Sequence, residues 1–166
     1  MDFDKPVLNK IFQLGILVKD IDKAKKIYEE VFGIGPWDEP RVLSGERMGI
    51  TVNGKPLNED FFKVSFLHRY GFEIEMIQPI GDTPMKKWVD EHGSGLHHVD
   101  FRLAEGESYE GFLEKCKEIT GKDTWLRGLG FGGHMDFSYV DLTEELGMYV
   151  EVKPSRPGED RPGFEY

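Results

Sequence analysis

Two adjacent histidines and several glutamates are the residues in this sequence whose types could support chemistry. His97 and His98 stand together in GLHHVDF, Glu75 stands in FEIEMIQP, and Glu151 stands in GMYVEVKP. Imidazole and carboxylate groups bind divalent metal ions and also transfer protons. Either chemistry requires these groups to face one another, so the elements that carry them decide whether they form a site.

Alternating apolar and polar residues predict that each of these stretches is a β-strand. Neighbouring residues of a strand point to opposite faces, so His97 and His98 are predicted to lie on opposite sides of the sheet. His98 and Asp100 share one face, and Gln13 lies on the equivalent face of the strand predicted for residues 11–18. His97 shares the other face with the apolar residues Val99, Phe101 and Leu103.

Capping residues and apolar spacing predict the helices that position these strands. Asp20 begins a helix that ends at Gly33, Thr83 begins a second helix, and Ser108 begins a third. Hairpins are predicted around Arg69-Tyr70-Gly71 and around TEELG, and a turn is predicted at Asn53-Gly54.

The order strand, helix, strands occurs twice, which indicates an internal duplication within a single domain of residues 1–166. Module one is predicted at about residues 8–80 and module two at about 95–154, and an irregular tail rich in proline and glycine follows at 155–166. If the polar faces of the two sheets face each other, they gather four side chains in one concave pocket: Gln13, Glu75, His98 and Glu151.

Composition excludes several functional classes. The formal net charge of −10 disfavours binding to nucleic acid or to an anionic membrane, because both need a basic surface. No apolar stretch is long enough to span a bilayer or to form a signal peptide. The single cysteine, Cys116, excludes an internal disulfide and is typical of a reducing, cytoplasmic location; it lies on the apolar stripe of a helix and is interpreted as a packing residue.

The chain resembles the vicinal oxygen chelate superfamily, which includes glyoxalase I, methylmalonyl-CoA epimerase, extradiol dioxygenases and fosfomycin-resistance enzymes. The stretches that carry the resemblance are QLGILVKDIDKAKKIYEEVFGIGPW, FEIEMIQP, GLHHVDF and GGHMDFSYVDLTEELGMYVEV. The resemblance implies an α+β fold of paired βαβββ modules, with metal ligands on the first and last strands of each module. Carried over by position, the implied ligands are Gln13, Glu75, His98 and Glu151, the four side chains that alternation also brings together.

These ligand types favour one divalent ion such as Zn, Ni, Co, Mn or Mg over redox iron, because oxygen donors outnumber the single imidazole. Zinc-type glyoxalase I enzymes use the same set of glutamine, glutamate, histidine and glutamate. The resemblance therefore implies a metal-dependent epimerase, isomerase or lyase that transfers a proton next to a carbonyl group through a metal-stabilised enolate. We expect Glu151, and after it Glu75, to carry that proton.

The substrate class stays open between two branches of the superfamily. GDTPMKKWVDEHGSGLHHVDF and GLGFGGHMDFSYVDL are similar to the epimerase branch, which implies an acyl-CoA thioester. Against that branch, the additional glutamate that it carries near RMGITVNGK has only Glu46 as a counterpart, at the edge of the segment. Against the glyoxalase branch, the arginine pattern expected for holding glutathione is absent from the sequence. Both assignments stay open, and the candidate substrates are an acyl-CoA thioester and a 2-oxo compound.

Two further functions are kept as alternatives: a non-catalytic protein that binds a small molecule such as an antibiotic, and an extradiol dioxygenase. Four intact candidate ligands favour an enzyme over the binding protein, and Gln13, at a position where oxygen-activating members have histidine, disfavours the dioxygenase. Asp100, His68 and His134 are weaker candidates for substrate binding, with His134 in the glycine-rich loop GLGFGGH. The resemblance also implies a homodimer.

Overall fold

A computed structural model describes residues 6–69, 71–129 and 136–155 of the chain. The fold is α+β, with one curled ten-stranded sheet in the order β2-β5-β6-β1-β7-β10-β9-β8-β3-β4. The strands are β1 Leu8–Leu17, β2 Arg41–Ser44, β3 Thr51–Val52, β4 Lys55–Pro56, β5 Asp60–Arg69, β6 Phe72–Pro79, β7 Gly95–Leu103, β8 Thr124–Leu129, β9 Asp136–Leu142 and β10 Met148–Lys153.

The three predicted helices form with the predicted caps. They are α1 Ile21–Phe32, α2 Pro84–His92 and α3 Tyr109–Thr120, and a fourth, α4 Thr143–Leu146, joins β9 to β10. The side chains of Asp20, Thr83 and Ser108 each accept a hydrogen bond from a backbone N–H in the first turn of their helix, which satisfies a donor that the helix itself leaves unpaired. Gly33 ends α1 in the left-handed conformation, at φ 66°.

The predicted βαβββ duplication is confirmed by the order of elements. Module one comprises β1, α1, β2, β5 and β6, and module two comprises β7, α3, β8, β9 and β10. In each module the last strand pairs in parallel with the first, and the remaining strands continue outward from the last. The two modules join where β1 and β7 pair antiparallel, at the centre of the sheet.

Helices α1 and α3 pack on the convex face of the sheet, the face that alternation predicts to be apolar. Helix α1 packs over Leu67, Met76 and neighbouring apolar residues of module one. Helix α3 packs over Leu103, Val150 and the apolar face of β9 in module two. Removing this apolar surface from water holds each helix against its own half of the sheet.

The concave face has its own apolar cluster, which the sequence patterns do not predict. Side chains from both modules and from α2 meet there, including Phe62, Phe66, Ile77, Val89 and Phe137. The polar residues of the inner strands are therefore set in largely apolar surroundings, where electrostatic interactions are stronger than in water.

A segment of module one also pairs with module two at the far end of the sheet. The β3–β4 hairpin turns at Asn53-Gly54, and β3 pairs antiparallel with β8. The backbone N–H of Leu129 donates to the carbonyl of Met48 at 2.7 Å, on the same side of the molecule. The turn at Asn53-Gly54 was predicted, whereas this pairing was not. The implied βαβββ modules include β2 and β8, but no local pattern located these two strands.

Among the residues that the structure describes, none of the helices is both long enough and apolar enough to span a bilayer.

Candidate metal centre

The seam between β1 and β7 places two of the candidate ligands, Gln13 and His98, and two of its three register shifts lie beside them. Ile11 pairs with Phe101 but Gln13 pairs with Asp100, so Phe12 is an extra residue in β1. In the same way Gly15 pairs with His98 but Ile16 pairs with Leu96, so His97 is an extra residue in β7. The two bulges are related by the duplication, with Gln13 and His98 in equivalent positions.

The bulge at His97 overturns the prediction that His97 and His98 face opposite sides of the sheet. The extra residue interrupts strict alternation, and the two Nδ1 atoms lie 3.1 Å apart. His97 is a packed, hydrogen-bonded residue as expected, but on the concave side. Its ring stacks on Tyr149 at a centroid distance of 4.2 Å and meets Trp88 edge to face at 5.2 Å.

Three of the four predicted ligands converge on this concave face. The Nε2 atom of His98 lies 3.3 Å from Oε2 of Glu75 and 3.4 Å from Oε2 of Glu151. One ligand atom from each residue lies within 4.8 Å of the others. His98 is fully buried, and the side chains of Glu75 and Glu151 are 12% and 3% exposed.

Gly15 makes the position of the His98 ring possible. The two residues are paired across the seam, and a methyl group on Gly15 would lie 1.8 Å from Cε1 of His98 and 2.0 Å from its Nε2. No side chain larger than hydrogen fits there without moving the imidazole. Glycine is therefore required at this point of β1 for close approach of a ligand side chain.

Gln13 is buried beside this cluster and its amide has a fixed orientation. Its Nε2 donates to Oε1 of Glu73, while no donor from the part of the chain that the structure describes reaches its Oε1. Glu73 also pairs with His68, whose Nδ1 lies 2.8 Å from Oε2. Burial raises the pKa of Glu73, but the hydrogen bond from His68 and the charge of Lys153 outweigh burial and lower it overall.

Lys153 forms a second polar group beside the cluster, with Asp100 and Glu151. Its Nζ lies 2.8 Å from Oδ2 of Asp100 and 2.9 Å from Oε1 of Glu151. Burial lowers the pKa of Lys153, but the charges of the two carboxylates outweigh burial and raise it, so the ammonium stays charged. Among the described residues, the other oxygen of Glu151, Oε2, has no partner at hydrogen-bonding geometry, although the hydroxyl of Tyr139 interacts with the same carboxylate.

The pKa values of the central residues follow from their burial. Burial raises the pKa of Glu75 to about 8, and Lys153 only partly opposes this. Burial lowers the pKa of His98 to about 4 and that of His97 to about 2, so both imidazoles are neutral at neutral pH. Burial also raises the pKa of Tyr139, whose hydroxyl lies 3.4 Å from Nε2 of His98.

These donors fit a divalent cation. Neutral His98 offers the lone pair of Nε2 when its Nδ1–H donates to His97, and a histidine ligand is commonly oriented by such a second hydrogen bond. Within the described ranges, the buried oxygens Oε1 of Gln13 and Oε2 of Glu151 have no partner at hydrogen-bonding geometry. A buried oxygen without a partner is costly in apolar surroundings, and a bound cation would remove that cost. One imidazole with oxygen donors suits Zn²⁺ and the other divalent ions predicted.

The remaining predicted site residues have different surroundings. Asp100 is fully buried in its pair with Lys153, and His68 is 39% exposed in its pair with Glu73. His134 lies outside the described residues, so its role stays a prediction. Sequence reasoning missed Glu73, Tyr139 and Lys153 as members of the site; Glu73 and Lys153 share the polar faces of their strands with Glu75 and Glu151, a signal that could have found them.

Several known proteins are similar to this chain. A family model for the glyoxalase/bleomycin resistance protein/dioxygenase superfamily matches residues 12–122. The uncharacterized protein YqjC of Bacillus subtilis (strain 168) is 30% identical over 95 residues, so the match spans 57% of this chain and 57% of that relative.

Solved structures of methylmalonyl-CoA epimerases share the fold. The enzyme from Mycobacterium tuberculosis is 14% identical with a TM-score of 0.64, over 95% of this chain and 94% of that one. A variant of the Streptomyces coelicolor enzyme, in complex with 2-nitronate-propionyl-CoA, is 17% identical with a TM-score of 0.60, over 90% of this chain and 99% of that one. These likenesses show the fold, and the family model, which matches more than half of the chain, shows that the chain belongs to the glyoxalase/bleomycin resistance protein/dioxygenase superfamily.

Proposed function

We propose that this protein is a divalent-metal-dependent enzyme that transfers a proton on the carbon next to a carbonyl group, as an epimerase, an isomerase or a glyoxalase-type lyase. The observation that carries the proposal is the convergence of Glu75, His98 and Glu151, whose ligand atoms lie within 4.8 Å of one another in apolar surroundings. Gln13, with its donor-free Oε1, is the proposed fourth ligand.

The donor set supports separate roles for the cation and for the carboxylates. When bound, the cation would supply a Lewis acid that stabilises the negative charge developing on a carbonyl oxygen as the neighbouring proton leaves. Glu75 and Glu151 are the two carboxylates close enough to that position to carry the proton. The apolar cluster on the concave face keeps the dielectric low, which strengthens these interactions.

We propose an acyl-CoA thioester or a 2-oxo compound as the substrate. The first is supported by the fold shared with methylmalonyl-CoA epimerases, one of which is in complex with a propionyl-CoA derivative. The second is supported by the donor set, which resembles that of zinc-type glyoxalase I. The homodimer that the family resemblance implies stays a prediction.

Metal content and proton exchange test the proposal together. We expect about one divalent ion per chain by elemental analysis, and metal-dependent exchange of the α-proton with deuterated solvent for one of the two substrate classes. His98→Ala should lose the ion, whereas His92→Ala, at an exposed histidine of α2, should keep it. Wild-type protein without stoichiometric metal would contradict the proposal.

Two results would select the alternatives instead. Tight binding of an antibiotic without any α-proton exchange would favour a binding protein of the same fold. Oxygen consumption with iron and a catechol would favour an extradiol dioxygenase, which we expect to be excluded because an amide at Gln13 replaces an imidazole.

A further inference from the structure

Lys153 is the last residue of β10 and lies two residues after Glu151, on the same face of the strand. Its side chain is 11% exposed, and its ammonium group contacts the carboxylates of Asp100 and Glu151 at 2.8 and 2.9 Å. A buried charge is costly unless it is paired, so all three groups are held in place by one another.

The contact with Lys153 makes the two carboxylate oxygens of Glu151 inequivalent. Oε1 is held by the lysine, while Oε2 lies 3.4 Å from Nε2 of His98, and no lysine or arginine of the described residues contacts Oε2. Glu151 therefore presents a single oxygen to a cation at the centre. Rotating its carboxylate away to meet a substrate would break the ion pair with Lys153.

Glu75 differs from Glu151 in the charged partners of its carboxylate and in its exposure. Within the described part of the chain, Oε2 of Glu75 lies 3.3 Å from Nε2 of the neutral His98 imidazole, and no lysine or arginine lies within ion-pair distance of the Glu75 carboxylate. Its side chain is 12% exposed, compared with 3% for Glu151, so it is the carboxylate that a molecule in the cavity can reach.

We propose that Lys153 is a positioning residue that fixes Glu151 as a one-oxygen ligand of the cation and leaves proton transfer to Glu75. This inference rests on the proposed function. In the transfer, Glu75 starts as the carboxylate. The C–H bond of the substrate breaks, its electron pair stays on the substrate as the enolate, and the proton forms an O–H bond with Glu75. Glu75 then delivers that proton to the neighbouring carbon of the enediolate, as in an isomerase or a glyoxalase-type lyase, whereas an epimerase takes its new proton from a second donor on the opposite face. Glu151 and Lys153 keep their protonation states throughout.

Cobalt binding tests the positioning role. Lys153→Met alone leaves two buried carboxylates without a partner, so the matched variant is Asp100→Asn with Lys153→Met, which removes one charge of each sign. With folding checked by circular dichroism, we expect this double variant to bind Co²⁺ roughly 10–100-fold more weakly and with an altered visible spectrum. Lys117→Met, which removes an exposed ammonium from α3, should leave both unchanged.

Proton exchange at saturating Co²⁺ tests the assignment of roles. We expect excess cation to restore exchange in Glu151→Gln, whereas Glu75→Gln should stay about 100-fold or more below wild type. An unchanged Co²⁺ spectrum and affinity in the double variant, or exchange lost in Glu151→Gln but kept in Glu75→Gln, would overturn the inference. Wild-type protein that binds no Co²⁺ would instead overturn the proposed function.

Discussion

The imidazole of His98 occupies the space that a side chain on Gly15 would need. The two residues are partners across the seam between the modules, so the glycine of one module accommodates the histidine of the other.

Gly15→Ala should therefore displace the His98 ring. We expect a loss of about 1–3 kcal/mol in the free energy of unfolding, as for other overpacked sites, and at least about 10-fold weaker binding of Co²⁺ in a titration. Gly95→Ala is the matched control, because a methyl group there would meet only Trp88, at 3.4 Å. In an His98→Ala background the Gly15 substitution should cost much less stability, and an equal cost in both backgrounds would contradict this explanation.

The free energy of unfolding of chelator-treated protein should fall as pH rises from about 6 to about 8. Burial raises the pKa of Glu75 from 4.5 to about 8, so the folded state binds this proton more tightly than the unfolded state. The associated stabilisation is complete below the unfolded pKa and is lost as pH rises through the folded pKa. The expected loss from Glu75 is about 2 kcal/mol.

Urea unfolding at several pH values measures this dependence. Because burial lowers the pKa values of His97 and His98, their protonation changes the free energy of unfolding mainly below about pH 6.5. In the upper part of the pH range, the change in this free energy comes from the carboxylates. The raised pKa of Asp100 adds a contribution of the same sign. Glu75→Gln should make the free energy of unfolding less dependent on pH. Zn²⁺ should stabilise the wild type most at high pH. The same pH dependence in wild type and variant would contradict the assignment to Glu75.

Glu73→Gln should weaken metal binding without removing a proposed ligand. A carboxylate at position 73 can only accept, so it holds Nε2 of Gln13 and leaves Oε1 of that amide for the cation. A glutamine at position 73 can donate as well as accept, so the amide of Gln13 could rotate by about 180° and exchange the positions of its Oε1 and Nε2. We expect roughly 10–100-fold weaker Co²⁺ binding by titration, and no change for Glu118→Gln on the exposed face of α3. Unaltered affinity in Glu73→Gln would exclude this role.

His97→Phe tests whether His97 orients its neighbour. Phenylalanine can keep the stacking on Tyr149 but cannot accept a hydrogen bond from Nδ1 of His98. We expect Co²⁺ affinity to fall about 10-fold or more while the thermal midpoint changes little, because the tautomer with a free Nε2 is no longer favoured. His97→Asn, which restores a polar partner, should recover part of the affinity; equal loss in both variants would show that packing alone is responsible.

Much of the scaffold could be predicted because local chemistry determines it. Asp20, Thr83 and Ser108 cap helices at the predicted positions, and alternation assigns the apolar faces of β6 and β10 to the helix side correctly. The βαβββ modules that the resemblance implies include β2 and β8, but local patterns did not locate these strands, because their pairing depends on distant segments.

The detailed geometry of the site could not be predicted from alternation. A single extra residue at His97 reverses the face of that side chain, and a bulge is determined by the register of two strands far apart in sequence. The role of Lys153 likewise depends on Asp100 from a neighbouring strand, a contact that spacing within β10 does not reveal.

The β3–β4 hairpin has a consequence for how a substrate can enter. Because module one pairs with module two both at β1–β7 and at β3–β8, the two halves are fastened at two separate places. A hinge opening about the central seam would also have to break the backbone bonds from Leu129 to Met48 and from Asn53 to Trp125. Entry to the centre is therefore expected through local rearrangement at the rim, with the ligand-bearing strands staying fixed.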